Sequence, residues 1–401
     1  MSIRITGARA ILGDDIVETD VLVEDGLIAA IGDTPKGQTQ MDGRGKLLAP
    51  AMVDIHGDAF ERQVMPRPNV FFPMDAALLD TDRQLAGNGI ATAYHALTLS
   101  WEPGLRSVDR GRELIEGLST LQDRLTVENR VQLRWETFAF EAIELMEKAL
   151  QAPLTPSVAF NDHTSMSMRD FDVPVQERAF EQSPDFRVAA LDDDRMRTRM
   201  AGNAKRAGLS EDDYIAMLAG VWERRDQVDD AIQRVAEKGR AVGASMLSHD
   251  DTQTETRTYY RGIGAQISEF PMTEEVAQYA REAGDFIVFG APNVVRGGSH
   301  IGSPAAADMI EAGLCDVLAS DYFYPAMLAG VARLHHERRA SMPDLLSLIS
   351  SGPAKACHLP DRGEIAEGKR ADLVLIDWPE GATPAVAMTM SGGNIAYQAK
   401  R

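Results

Sequence analysis

The chain has 401 residues, of which 44% are hydrophobic and 25% are charged, so it can bury a large core and is not a disordered protein. This length suits one large barrel with a small companion domain, and it excludes a peptide hormone or a disulfide-stabilised miniprotein. With 41 Lys+Arg against 61 Asp+Glu the formal charge is −20, which disfavours nucleic acid and anionic lipid as partners. An anionic ligand must therefore be held by local groups.

Two features of the sequence bear on the compartment. Only two cysteines occur, Cys315 and Cys357, so neither a disulfide framework nor a thiolate metal site is expected. The first residues, MSIRITGARAILGDDIVETD, carry acids where a signal peptide needs an apolar core, and no run approaches the roughly 18 apolar residues of a membrane span. We therefore expect a cytoplasmic protein that does not bind membranes, and a homo-oligomer stays open.

The two ends of the chain share one pattern. Residues 1–50 show short alternating runs broken by Gly and Asp, and the same texture returns over residues 360–401. Two separate small sheets would bury too little surface to be stable. We therefore expect both ends to build one small β-sandwich domain, with residues 51–359 forming a second domain between them.

The middle of the chain alternates helical patterns with apolar runs of strand length. The eight candidate strands read MVDI, ATAYHAL, VQLRW, PSVAF, ASML, AQISEF, DFIVF and DVLA. Eight strand–helix units are what a (β/α)8 TIM-like barrel of the α/β class requires. The polar stretch over residues 165–225 is too long for a single loop, and we expect it to contain a further element.

Imidazoles and carboxylates follow several of these strands, and in a barrel the carboxyl ends of all strands meet on one face. His56 and Asp58 stand two residues apart, so they point the same way and can hold one ion. Glu136 can bridge two ions, and His163 and His249 would complete the second. Each histidine alone is more often a structural residue, but three at strand ends beside carboxylates favour two divalent ions. Zinc is the first expectation, with iron or manganese as alternatives.

Asp321 follows the last candidate strand, DVLA. An acid at this position can simply cap the next helix. On the ion-binding rim of a barrel it would instead accept a proton from the attacking water, which is the role that a metal-dependent hydrolase must fill. We therefore assign Asp321 as the catalytic base.

The stretch GAPNVVRGGSHIGS, after the strand FIVF, is rich in glycine. A plain loop is the alternative, but we predict that it binds the phosphate groups of a substrate through free backbone N–H groups and side-chain donors. The residues of this candidate site are Arg296, Gly297, Gly298, Ser299 and His300. Arg67 lies on a proline-braced loop that we expect near the same rim. Arg67 and Arg62 could equally be surface charges, with Arg62 paired to Glu61.

Several motifs together resemble the amidohydrolase superfamily. They are MVDIHGD with ERQVMPRP, SHDDT, GAPNVVRGGSHIG, ASDYFYP and GEIAEGKRADLVLID, and they keep the motif order over nearly the whole chain. Within the superfamily they are most similar to the branch that degrades phosphonates. The resemblance implies a metal-dependent barrel that releases pyrophosphate from alpha-D-ribose 1-methylphosphonate 5-triphosphate in the carbon–phosphorus lyase pathway.

The resemblance also covers the candidate site residues. The His56-x-Asp58 form is similar to the phosphonate branch, whereas the wider superfamily begins with His-x-His, and Glu136 takes the place of a bridging carbamylated lysine. The later histidine ligands and the acid of the last strand match His163, His249 and Asp321. Because the superfamily has those histidines on the fifth and sixth strands, and we place them on the fourth and fifth, a missed strand in residues 165–225 is expected.

Two other functions stay open. One is an amidohydrolase that cleaves a cyclic amide or an N-acyl group at the same site, although an amide carbonyl does not need so many anion donors. The other is a non-catalytic scaffold on the same barrel, which would have no reason to keep every candidate ligand. The charge and the motifs favour a diphosphatase that acts on a phosphorylated sugar.

Overall fold

The computed structural model describes residues 2–33, 39–299 and 301–399. The strands in these ranges are β1 (Ser2–Leu12), β2 (Asp15–Glu24), β3 (Leu27–Ile31), β4 (Thr39–Asp42), β5 (Leu47–Pro50), β6 (Met52–Gly57), β7 (Ile90–Leu99), β8 (Glu128–Glu136), β9 (Ser157–Asn161), β10 (Met246–His249), β11 (Ile267–Glu269), β12 (Phe286–Gly290), β13 (Val317–Ala319), β14 (Leu373–Asp377), β15 (Ala385–Ser391) and β16 (Asn394–Gln398).

The helices surround these strands. They are α1 (Glu61–Val64), α2 (Met74–Gly87), α3 (Val108–Leu121), α4 (Ile143–Ala149), α5 (His163–Met168), α6 (Asp194–Ala207), α7 (Glu211–Trp222), α8 (Val228–Ala241), α9 (Thr254–Gly262), α10 (Glu274–Ala283), α11 (Ala291–Arg296), α12 (Ala306–Glu311), α13 (Ala326–His336), α14 (Met342–Ser347) and α15 (Ser351–Ala356). Among the described residues, no helix combines the length and the apolar character that crossing a bilayer would need.

Strands β6 to β13 form a parallel barrel in which each strand pairs with its neighbour in sequence order. Each of the eight predicted apolar runs supplies one of these strands. The interior is filled by small and branched side chains such as Val53, Ile55, Ala159 and Val288, as a packed barrel core requires. The predicted α/β class and TIM-like barrel are therefore confirmed.

The barrel closes between its first and last strands. Gly57 and Asp321 form a parallel bridge, and the Asp321 N–H donates to the carbonyl of His56 at 2.9 Å. The fully buried Asp54 carboxylate accepts hydrogen bonds from the N–H of Ser320 at 3.0 Å and from its hydroxyl at 2.5 Å. A Cβ at Gly57 would lie 2.6 Å from the Asp54 carboxylate, so only glycine fits there. Closure thus places His56 beside Asp321.

The two chain ends build a second sheet, as predicted. Its strand order is β16-β15-β14-β5-β1-β2-β3, with β4 also paired to β1, so the strands are hydrogen-bonded as one mixed sheet. Alternate side chains of the first strand, Ile3 and Ile5, pack in one cluster with Leu373 and Leu375 of β14. The sheet is joined to the barrel by side-chain contacts, including the Thr389 hydroxyl on a carbonyl of α2.

The polar stretch over residues 165–225 contains no strand; it holds the end of α5, then α6 and α7, and an isolated bridge. The prediction of a missed strand is therefore wrong, because the eight strands counted from the sequence already close the barrel. The helices form a small core of their own in which Met196, Met200 and Tyr214 pack together with Trp101 of the loop after β7. The stretch is thus a helical cover over one side of the barrel mouth.

Candidate active site

A cavity of about 240 Å³ opens where the barrel strands end. It is lined both by predicted ion-binding residues and by part of the predicted anion-binding stretch. The lining includes His56, Asp58, Arg106, Arg134, His249, Asp250, Asp321, Arg296, Gly298 and Ser299. Strand ends from both halves of the barrel therefore contribute to one polar cavity.

Three overlapping groups of side chains in this region have ligand atoms within 4.8 Å of one another. The groups are His56, Asp58 and Asp321; His163, His249 and Asp250; and His56, His249 and Glu269. Five of the predicted site residues are thereby brought together, namely His56, Asp58, His163, His249 and Asp321. Asp250 and Glu269 join them without having been predicted.

Glu269 connects two of the histidines. The rings of His56 and His249 stack with centroids 5.4 Å apart, and the Glu269 carboxylate accepts from His249 Nδ1 at 2.8 Å and lies 3.0 Å from His56 Nδ1. Burial alone would raise the pKa of Glu269, but the charge of His56 and the two imidazole contacts outweigh it and lower that pKa below its usual range. Histidine ligands of metals commonly donate their second ring N–H to a carboxylate, and Glu269 is placed to serve both rings.

The Asp250 carboxylate lies near the Nε2 atoms of both His249 and His163. Its Oδ2 is 3.4 Å from His249 Nε2 and 3.5 Å from His163 Nε2. Burial lowers the pKa of His163 to about 3, so this ring is neutral and keeps a lone pair for a cation. The backbone of Asp250 has a positive φ of 60°, a conformation that costs energy for a non-glycine residue and clusters at functional sites.

Asp58 and Asp321 are the two carboxylates of the group that contains His56. Burial and the charge of Asp58 raise the pKa of Asp321 to about 6. The Arg134 guanidinium approaches Asp58 at 3.6 Å and donates to His249 Nε2 at 2.8 Å, so one cation lies among several carboxylates. The buried Nδ1 of His56 is 3.0 Å from the Glu269 carboxylate, although the two are not aligned as a hydrogen bond. This excess of negative charge with mixed nitrogen and oxygen donors fits divalent cations.

Glu136 lies outside these groups, so its bridging role stays a prediction. One carboxylate oxygen accepts from the N–H and the hydroxyl of Thr164, at 2.9 and 2.8 Å, and the other from Asn161 at 2.9 Å and the His163 N–H at 3.2 Å. Both oxygens are thus occupied in holding the first turn of α5. Burial and the nearby Asp162 raise the pKa of Glu136 to about 8. We therefore assign Glu136 to the support of the strand–helix junction.

The backbone of the glycine-rich stretch differs from the open loop that the sequence predicted. Its first part forms the helix α11, and the N–H groups of Gly297 and Gly298 donate to the carbonyl of Asn293 at 3.1 and 2.9 Å. Gly297, with φ of 83°, ends the helix in the left-handed conformation. The prediction that these two N–H groups are free for phosphate is therefore wrong, because helix capping uses them.

Some side chains of the same stretch do line the cavity. Arg296 is exposed at the end of α11 and lines the cavity. Ser299 also lines it, with its hydroxyl accepting from the N–H of Ile301 at 3.1 Å and from Ser303 at 2.7 Å. His300 lies outside the described residues. Of the predicted anion donors, the Arg296 guanidinium is thus the one that faces the cavity without a partner in the described part of the chain.

Arg67 is exposed and does not line the cavity, so the structure does not support it as a binding residue. The alternative that Arg62 pairs with Glu61 is not found among the described residues. Glu61 instead pairs with Arg106, through bonds of 2.9 and 3.1 Å, and Arg106 lines the cavity. Arg62 lies near the ring of Tyr322.

The missed residues differ in whether the sequence held a signal for them. Glu269 is the second-to-last residue of the run AQISEF and the last of β11, and Asp250 follows His249 directly, so the strand-end rule would have included both. Arg134 is two residues before Glu136 on β8 and shares its face. Arg106 had no such signal, because its place depends on the tertiary contact with Glu61.

Comparison with known proteins agrees with this geometry. Residues 175–397 match the model described as Amidohydrolase family. The alpha-D-ribose 1-methylphosphonate 5-triphosphate diphosphatase of Escherichia coli (strain K12) is 30% identical over 377 residues, which are 92% of this chain and 94% of that protein. The chain belongs to the amidohydrolase family. The family membership predicted from the motifs is thus confirmed.

Solved structures of amidohydrolase-like enzymes share the fold at low identity. Phenylurea hydrolase B superposes with a TM-score of 0.63 at 13% identity, covering 98% of this chain and 96% of that one. The beta-aspartyl dipeptidase of Fervidobacterium islandicum AW-1 gives 0.60 at 14% identity, covering 99% and 97%. These similarities establish the shared architecture of a barrel and a terminal sheet.

Proposed function

We propose that this amidohydrolase-family protein is a metal-dependent diphosphatase that releases pyrophosphate from alpha-D-ribose 1-methylphosphonate 5-triphosphate. The observation that carries the proposal is the exposed guanidinium of Arg296 in the same cavity as the histidine–carboxylate groups. A polyanion needs both cations at its reacting phosphate and a fixed positive charge for its far end, particularly on a chain of net charge −20. The name of the relative that is 30% identical supports the same substrate class.

Two divalent cations would be held by separate ligand sets. We assign His56, Asp58 and Asp321 to one, and His163, His249 and Asp250 to the other. Bound there, such ions lower the pKa of water and neutralise phosphate oxygens. Glu269 is a positioning residue, since it fixes the orientation of two histidine rings without facing the solvent. Zinc, iron and manganese all suit these donors.

Three side chains of the cavity then have distinct roles in the reaction. Asp321 takes a proton from the attacking water, and the pKa of about 6 that its buried site favours is suited to a base near neutral pH. The water oxygen bonds to the α-phosphorus while the bond from that phosphorus to the bridging oxygen breaks, so pyrophosphate leaves. Arg296 holds the departing end, and Arg134 offers a second guanidinium near the ligands.

The experiment that tests this function measures pyrophosphate release by the purified protein with added divalent metal. The substrates are a ribosyl 5-triphosphate carrying 1-methylphosphonate, plain ribose 5-triphosphate, nucleoside triphosphates, a cyclic amide and an N-acyl amino acid. We expect pyrophosphate release to be fastest from the ribosyl triphosphates. Amide cleavage without pyrophosphate release would instead establish the amide hydrolase, and no turnover of any member by metal-loaded protein would favour a scaffold.

The ligand assignment predicts the metal content. The purified protein is expected to carry about two transition-metal ions per chain, and His249→Ala should lose at least one of them because it removes a donor shared by two groups. Elemental analysis measures this. His336→Ala is the matched control, since His336 is an exposed histidine at the end of α13 that lines neither polar cavity, and this variant should keep its metal. A fully loaded His249→Ala protein would contradict the assignment.

A further inference from the structure

A second polar cavity, of about 250 Å³, lies beside the first and has no role in the function proposed above. Its walls come from the end of β7 with the following loop, from the start of α5, and from the helical cover α6–α7. The lining includes Thr98, Trp101, Glu102, Asn203, Arg206 and Tyr214. Arg106 lines both cavities, and His163 lines the second while approaching Asp250 of the first. The two cavities are therefore neighbours across the proposed ion-binding groups.

Two buried polar atoms of this cavity lack partners in the described part of the chain. Thr98 is 4% exposed, lines the cavity, and its hydroxyl makes no hydrogen bond there. Nε of Arg206 is also buried without an acceptor. Buried polar groups are nearly always hydrogen-bonded, so each exception requires an explanation, such as a bound molecule. Both atoms belong to residues that face the same space, which points to a ligand with hydroxyl-type partners.

The charges around the cavity disfavour an anion. Arg206 donates to both carboxylate oxygens of Glu102, at 3.1 and 3.0 Å, and Arg106 is paired with Glu61. Each guanidinium therefore has its charge balanced by a carboxylate. This is the opposite of the first cavity, where Arg296 has no such partner in the described ranges. A neutral group is the better occupant.

The remaining groups suit a molecule rich in hydroxyls. Thr98 supplies a hydroxyl and Asn203 an amide, so the cavity offers both donors and acceptors, while Arg206 and the Tyr214 hydroxyl hold the Glu102 carboxylate in place. Trp101, which packs against Tyr214, adds an aromatic wall against which a sugar ring can lie. A pentose has this combination of hydroxyls and an apolar ring face.

We infer that this second cavity binds the sugar of the substrate, while the polyphosphate extends past the ion-binding groups toward Arg296. The inference rests on the proposed function and deepens it by assigning a direction to the substrate. It also gives a role to residues 165–225, whose helices supply Asn203, Arg206 and Tyr214 to the cavity. Thr98 is then a residue that selects for the sugar.

The test compares a substrate that has a sugar with one that lacks it. Thr98→Val removes the hydroxyl and keeps the shape, and Thr98→Ser restores a hydroxyl. We expect Thr98→Val to raise KM for the ribosyl triphosphate about 3–20-fold, the usual effect of one lost hydrogen bond, and to leave KM for inorganic tripolyphosphate within about twofold. Thr81→Val is the matched control, because Thr81 is also buried with an unpartnered hydroxyl but lines neither cavity.

The result that overturns the inference is an equal KM change for both substrates, or none for either, in a protein that releases pyrophosphate normally. If the wild-type protein releases no pyrophosphate, the proposed function fails, and calorimetric binding of ribose 5-phosphate decides the inference separately. Weaker binding of ribose 5-phosphate to Thr98→Val than to wild type and Thr81→Val would then support the sugar site. Identical binding to all three, or no binding, would remove it.

Discussion

Asp321→Asn is expected to lower kcat by about 10²–10⁴-fold, the range that a positioned general base contributes. The variant removes the proton acceptor but keeps the size and one ligating oxygen. Asparagine also tolerates the positive φ of 55° found at this position, so the end of β13 should be unchanged. Steady-state kinetics at saturating metal, together with metal analysis and circular dichroism, measure the effect.

The pH profile separates this role from a structural one. Burial and Asp58 raise the pKa of Asp321 to about 6, and a nearby cation opposes that rise. A protonated carboxyl cannot accept a proton, so kcat/KM of the wild type should fall with acid at or below about pH 6. The variant should lack this acid limb. Near-normal kcat in Asp321→Asn with an unchanged profile would return Asp321 to the closure of the barrel.

The barrel could be predicted from the sequence because its signals are local. Each apolar run such as FIVF has the length of a strand, and the carboxyl ends of parallel strands must meet on one face. That rule alone brings Asp321 to His56 and Asp58, although Asp321 is distant from both of them in sequence. The same rule covers Glu269 at the end of β11, and it covers Asp250, which directly follows the predicted ligand His249 at the end of β10.

Other features depend on contacts that no local pattern encodes. Glu136 stands at the end of a strand, as the predicted ligands do. Its carboxylate accepts four hydrogen bonds, one from Asn161 and three from the first turn of α5. Glycine-rich sequence does not distinguish a phosphate loop from a short helix with a left-handed cap, and here the cap at Gly297 uses the N–H groups. The absence of a barrel strand in residues 165–225 follows from the pairing of the eight strands β6 to β13, which is a tertiary feature that no local pattern encodes.

Arg296→Ala is expected to weaken triphosphate binding about 10–150-fold, because a charge-assisted pair of guanidinium and phosphate contributes about 1.5–3 kcal/mol. Arg296 is the last residue of α11 and lines the same cavity as the ion-binding groups. A monophosphate product does not reach that end, so its Kd should change much less. Arg296→Lys should recover part of the affinity, since lysine keeps the charge and loses the two-pronged geometry.

The measurement is Kd for the ribosyl triphosphate and the ribosyl monophosphate at fixed salt, because screening changes every such value. Using the Asp321→Asn background keeps the triphosphate intact during titration. Arg112→Ala serves as control, being an exposed arginine of α3 that lines neither cavity. Equal losses for both ligands would mean that Arg296 does not select the polyphosphate end. Unchanged affinity in Arg296→Ala would remove the main reason for preferring a diphosphatase over an amide hydrolase.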